Sequence, residues 1–298
     1  MENATRFSQY NPIINFTFFI GAICCSMLFM HPAYLVASIF MSLAFNLSTK
    51  GLKSLKMIGF LLLVFAFVTV INPILNTAGN TVLFTYFNDR SFTLEALTYG
   101  FVFASIFVSV ILWFSSYNAI MTSDKFVYIF GPVLPAISMI ISMVMRFVPN
   151  YSTKAKQIST ARQCIGLAGE NGDKKDRLKN AESILSSLTS WAFEGGISTA
   201  DSMRSRGYGT GKRTNYSIYR FDYHDLSLLI TMILLLGIVA FCSISGATKV
   251  EYLPEISINW FDNIYTLVGF IAYVLFLSLP TILNIKEEIT WRILRSRI

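Results

Sequence analysis

Charge is scarce in this chain. Of 298 residues, 14% are Asp, Glu, Lys or Arg, against roughly 25% in an ordinary soluble domain. An ordinary water-soluble globular domain is excluded on that ground. Histidine is represented by His31 and His224 alone, and cysteine by Cys24, Cys25, Cys164 and Cys242. No CxxC, HExxH or GxSxG occurs, which removes the familiar zinc sites, zinc proteases and serine-hydrolase elbows. The four cysteines read as small hydrophobes. A cleaved leader is not expected, because Arg6 is balanced by Glu2 and no small-residue cleavage site follows the first apolar run.

Apolar side chains make up 54% of the chain, with 26 Phe, and they fall in charge-free stretches long enough to cross a bilayer. Spans are expected near 11–30, 32–49, 57–75, 96–119, 226–247 and 263–285, the first two parted at His31-Pro32. The positive-inside rule orders the loops. Lys50, Lys53 and Lys56 stand without an acid and read as internal. The 76–95 and 249–262 loops carry more acidic than basic residues and read as external. Residues 150–222 hold twelve of the 24 Lys+Arg against seven acids, and the tail holds three further arginines, so both read as internal.

The apolar stretch 126–148 disturbs that count. If it crossed, the basic 150–222 segment would lie outside. Gly131-Pro132 and Pro135 interrupt it and Arg146 ends it. It is therefore expected to turn back or to lie at the inner boundary. The fold class that results is an all-α integral membrane protein. About six transmembrane helices accompany a cytoplasmic domain of long crossing helices. The divisions are 1–124 (membrane helices), 125–222 (internal helices) and 223–298 (a membrane hairpin with a basic tail). Both termini are placed in the cytoplasm.

Within the middle division one helix is expected over 136–165, with a kink at Pro149. A second begins near Arg177, with a seven-residue stripe at Leu178, Ala181, Leu185, Leu188 and Ala192. Gly195-Gly196 marks a close crossing or a bend. The second helix should stop at Gly207 or Gly209, in a left-handed cap. Arg162 and Arg206 then stand near the C-terminal ends of the two helices, each followed by glycines. One reading is that they answer the helix dipole, worth about 0.3–1 kcal/mol each. The sharper reading is that a forked guanidinium on a rigid tip docks on a partner's carboxylate.

GYGTGKRT (207–214) is no phosphate loop, because Lys212 occupies the slot that the pattern reserves for glycine. Asp222 or Asp225 is expected to cap the helix that follows, in preference to any metal site with His224. The spans hold no charged side chain, unlike most ion-coupled carriers. Arg146 is expected to anchor at the headgroups, and Trp291 to mark an interfacial tail helix.

NPIL (72–75), FTLEALTYG (92–100), YNAIMTSDKF (117–126), SMVMRFVP (142–149), ISTARQCIG (158–166) and ADSMRSRGYG (200–209) resemble the transmembrane T-component of energy-coupling factor transporters. The resemblance implies a non-enzymatic scaffold. Ala161-Arg162-Gln163 and Ser205-Arg206-Gly207 take the places of the family's paired Ala-Arg-Gly signatures, with Gln163 replacing Gly and Ser205 replacing Ala. Each would dock in one of two ABC-type ATPase subunits, identical or different, at the inner membrane of a prokaryote. ATP and magnesium would be bound by those partners, with no cofactor in this chain. Met139, Met143, Met145 and Phe147 would form the cradle for a separate substrate-binding S-component in the bilayer, for vitamin or metal-ion uptake. Nucleic acid is not an expected partner. The competing reading is a stand-alone membrane carrier that binds its own solute.

Overall fold

The computed structural model describes residues 6–51, 54–76, 79–86, 90–166, 174–211, 219, 221–246, 248–252, 257–258 and 264–295. Its helices are α1 (Arg6–Gln9), α2 (Pro12–Leu28), α3 (Pro32–Lys50), α4 (Ser54–Leu75), α5 (Leu94–Ile120), α6 (Ser123–Phe130), α7 (Pro135–Cys164), α8 (Lys174–Ser205), α9 (Tyr223–Ile244) and α10 (Ile264–Arg295). Two antiparallel hairpins, β1 (Val82–Tyr86) with β2 (Arg90–Thr93) and β3 (Val250–Glu251) with β4 (Ser257–Ile258), lie in the inter-helix connections. The chain is an all-α integral membrane protein. By length and composition α3, α4, α5, α9 and α10 suffice to cross a membrane, and α2 is a shorter apolar helix of 17 residues. Contacts divide the chain into two compact units, 1–122 with 219–298, and 123–218.

In the membrane unit the sequence sets the helix starts. Pro32 opens α3 at its first position, and His31 Nδ1 accepts from Ala33 N at 3.2 Å. Asn11 does the same before Pro12, accepting from Ile13 N at 3.1 Å. Proline suits that position because its missing N–H would be unpaired there anyway. Thr93 caps α5, and Glu95 in its first turn accepts from Thr81 N at 3.1 Å, which ties α5 to the first strand of the hairpin before it. At α9 Asp222 is the N-cap residue, and Asp225 three residues on accepts from Asp222 N at 3.4 Å in a capping box.

Aromatic rings fill the core of this unit. Phe18 lies 5.4 Å from Phe7, 5.5 Å from Trp113 and 5.2 Å from Phe276, joining α1, α2, α5 and α10. Beside them runs a buried hydroxyl chain: Ser38 Oγ stands 2.8 Å from Ser26 Oγ and 2.6 Å from Ser109 Oγ, and accepts from Trp113 Nε1 at 3.0 Å. Such pairing keeps polar atoms tolerable where water is excluded. Gly100 brings α5 against α4, since a Cβ there would meet Thr69 O at 2.8 Å and Asn72 Cβ at 2.9 Å. The NPIL and FTLEALTYG stretches meet at this contact. Lys50 stands on the last turn of α3, where its Nζ donates to Ser115 O at 2.8 Å and to Ser115 Oγ.

In the second unit the apolar 126–148 stretch does not form one spanning helix. A turn at 131–134 splits it into the eight-residue α6 and the first half of α7. At 1.5 Å per residue α6 is about 12 Å long, far short of a bilayer. Pro135 begins α7 for the same reason that Pro32 begins α3. The two helices pack together, with Ser138 Oγ donating to Val127 O at 3.5 Å. α7 runs unbroken through Pro149 to Cys164.

Candidate coupling helices

α7 and α8 form an antiparallel hairpin whose connecting residues 167–173 lie outside the described set. Its register is fixed by side chains. Arg162 Nε donates to Asn180 Oδ1 at 2.8 Å, and one terminal nitrogen of the same guanidinium donates to Ser183 Oγ at 2.6 Å. Eleven residues back along α7, Tyr151 meets Trp191 edge to face at 5.5 Å, and Lys154 Nζ stands 5.4 Å from that indole ring. As α7 is read backwards α8 advances, which is the signature of opposed helices.

This register overturns the first part of the expected stripe on α8, while Leu188 and Ala192 stay on the half-buried side. Leu178 and Leu185 are 71% and 62% exposed, while the half-buried seam runs through Asn180, Ser183, Ile184, Leu188 and Trp191. The guanidinium bonds and the Trp191 contact roll α8 away from its leucine rhythm. Charge-assisted hydrogen bonds outweigh a few marginal apolar contacts at an exposed seam. Gly195 and Gly196 face open space, so no close crossing among the described residues explains them. α8 also continues through them without a break.

The two arginines occupy different positions. α8 ends in a Schellman arrangement: Gly207 N donates to Arg204 O at 3.1 Å, Tyr208 N donates to Met203 O at 3.0 Å, and Gly207 has φ +74. Arg206 is thus the capping residue itself, directly before the left-handed glycine. It is exposed, and among the described residues nothing pairs with its guanidinium. Ser205 and Gly207 are exposed beside it, with Ser205 Oγ donating to Asp201 O at 2.8 Å. In α7 the left-handed glycine is Gly166, φ +74, whose N–H donates to Gln163 O at 3.0 Å. Arg162 therefore lies about one turn inside the helix, half-buried against α8, while Ala161 and Gln163 are exposed.

The methionine group also divides. Met139, Met143 and Phe147 recur every fourth residue on one half-buried stripe that leads to Tyr151, on which Phe147 stacks at 5.7 Å. Met145 is 49% exposed and lies about 200° around the helix from Met143. It sits among exposed Val144 and Val148. Sequence reading missed Asn180, Ser183 and Trp191. Two short polar residues one turn apart on α8, facing an arginine near the end of the preceding helix, were the available signal. Among the described residues no cluster of His, Cys, Asp or Glu is suited to hold a metal.

The model of a family described as CbiQ, cobalt transport protein, matches residues 6–216. The energy-coupling factor transporter transmembrane protein EcfT of Lactobacillus helveticus is 32% identical over 112 residues, covering 37% of this chain and 40% of that protein. EcfT 1 of Listeria monocytogenes is 29% identical over 181 residues, covering 56% of this chain and 66% of that protein. The uncharacterized protein MG181 homolog of Mycoplasma pneumoniae is 31% identical over 115 residues, covering 38% of this chain and 26% of that protein. The chain thus spans from about a quarter to two thirds of the length of these curated relatives.

Proposed function

The chain belongs to the CbiQ cobalt transport protein family, and from that premise we propose that it is the non-enzymatic membrane subunit of an energy-coupling factor importer. It links ATP hydrolysis in two cytoplasmic ABC-type ATPases to movement of a separate substrate-binding S-component that takes up a vitamin or metal ion. ATP and magnesium belong to the ATPases. The relatives named EcfT support the transporter assignment. The observation that carries the coupling role is the exposed guanidinium of Arg206 on the rigid cap of a 32-residue helix, followed by a glycine of φ +74. A planar fork held on such a cap suits a bidentate contact with a carboxylate.

The arginines divide the work. Arg206 makes the outward contact. Arg162 holds the hairpin through Asn180 and Ser183 and leaves its remaining terminal nitrogen for a partner. The stripe of Met139, Met143 and Phe147 supplies adaptable apolar surface for the S-component, and Met145 serves a different face.

The test is affinity purification of the tagged full chain from its native membrane. Two ABC ATPases and a small membrane protein are expected to co-purify. The Arg206→Glu variant should lose the ATPases while retaining the small membrane protein. Recovery of the chain without ATPases, or full retention of them by Arg206→Glu, contradicts the assignment.

A further inference from the structure

A cleft of about 350 Å³ opens in the membrane unit between the start of α9 and the end of α10, with Tyr10 at its edge. On α9 its wall is formed by His224, Ser227, Leu228 and Thr231, which share one helical face. On α10 the wall runs from Leu279 and Leu283 to Lys286 and Glu287. The helices are opposed, so polarity changes with depth. His224 at the start of α9 and Lys286 on α10 stand at the mouth, and Leu283 and Leu279 lie about 5 and about 10 Å further along α10. Charged at the mouth and mostly apolar below, where Thr231 is the polar residue, the cleft has the profile of a bilayer's own surface, where basic groups between membrane helices hold lipid headgroups.

The polar groups carry a specific pattern. Ser227 Oγ and Thr231 Oγ1 donate to carbonyls of their own helix, at 3.0 Å to His224 O and 2.8 Å to Ser227 O. Their lone pairs therefore face outward as acceptors. Glu287, whose carboxylate accepts from Trp291 Nε1 at 3.4 Å, adds an acceptor with charge. Lys286, the imidazole of His224 and the Tyr10 hydroxyl are donors. One ammonium and one carboxylate adjacent in the chain complement a ligand that carries both signs. A purely anionic headgroup would meet Glu287 unfavourably.

We propose that this cleft binds a zwitterionic phospholipid. Its phosphate is held by Lys286 with His224 and Tyr10, and its ammonium by Glu287 with the Ser227 hydroxyl. Its acyl chains run over Leu228, Leu279 and Leu283. This rests on the chain being a membrane protein and not on the coupling role, so the two readings fail separately.

The test is native mass spectrometry of the purified full chain in detergent, with phosphatidylethanolamine, phosphatidylglycerol and diacylglycerol as probes. Phosphatidylethanolamine is expected to bind about tenfold more tightly than diacylglycerol and severalfold more tightly than phosphatidylglycerol. Lys286→Met should weaken it about tenfold, and Glu287→Gln should erase its advantage over phosphatidylglycerol. Thr231→Phe, which fills the cleft from an exposed position, should abolish binding while the unfolding temperature stays unchanged. Phosphatidylglycerol binding as tightly as phosphatidylethanolamine to the unmodified chain would overturn the proposal. So would unchanged binding in both Lys286→Met and Thr231→Phe, or displacement of the lipid by inorganic phosphate alone.

Discussion

Arg162 and Arg206 carry the same guanidinium and have different neighbours, so their variants should separate. Arg206→Glu touches no described partner, and the hairpin should keep its stability while ATP-driven uptake in proteoliposomes falls to background. Arg162→Ala removes two hydrogen bonds between α7 and α8 and should cost about 1 kcal/mol of hairpin stability, read by hydrogen exchange along α8. Lys125 offers a second prediction. It is 7% exposed, and burial pushes its ammonium down from 10.5 to about 8. Between those values the unfolded chain binds more protons than the folded one, so stability should rise with pH from about 8 to 10.5 and stay flat below. Thermal unfolding against pH checks this. Lys125→Met should remove the rise, and a rise that persists in that variant excludes Lys125 as its source.

Glycines carry the predictions at helix contacts and ends. Gly100→Ala would push a methyl group to 2.8 Å from Thr69 O, which is backbone and has no rotamer to yield. Separation of α4 from α5 should cost about 1–3 kcal/mol, seen as a lower unfolding temperature. Gly207→Ala puts a Cβ at φ +74, costing about 1 kcal/mol. It should impair ATPase retention more than Gly209→Ala, although both glycines have positive φ, because only the first is bonded into the cap beside Arg206. Helix starts were legible in the sequence at Asn11-Pro12, His31-Pro32 and Pro135, and the end of α8 at Gly207, because proline and glycine act locally. The roll of α8 was not legible. It depends on Arg162 reaching Asn180 and Ser183 across the hairpin, and a stripe of leucines says nothing of that. The β1–β2 hairpin was also missed, since its pairs join residues up to eleven apart and the Glu95 tie to Thr81 joins residues fourteen apart.

For the whole chain, composition alone revealed a membrane protein, and charge placement suggested which segments stay inside. The first half of the 126–148 segment is where the two agree most usefully. Prolines break it, and α6 is too short to cross. The positions of Arg162 and Arg206 relative to their left-handed glycines required the fold, because ISTARQCIG and ADSMRSRGYG look alike as strings but end their helices three residues apart. The coupling role requires the α7–α8 hairpin to lie on the inner side of the membrane. Side-specific labelling tests this most directly. In a chain whose own cysteines, including exposed Cys24 and Cys164, have been replaced, a single cysteine is placed at position 145 or 174. An impermeant maleimide is then applied to right-side-out and to inverted vesicles. Both positions are predicted to react in inverted vesicles alone, and reaction at position 174 in right-side-out vesicles would contradict the coupling role.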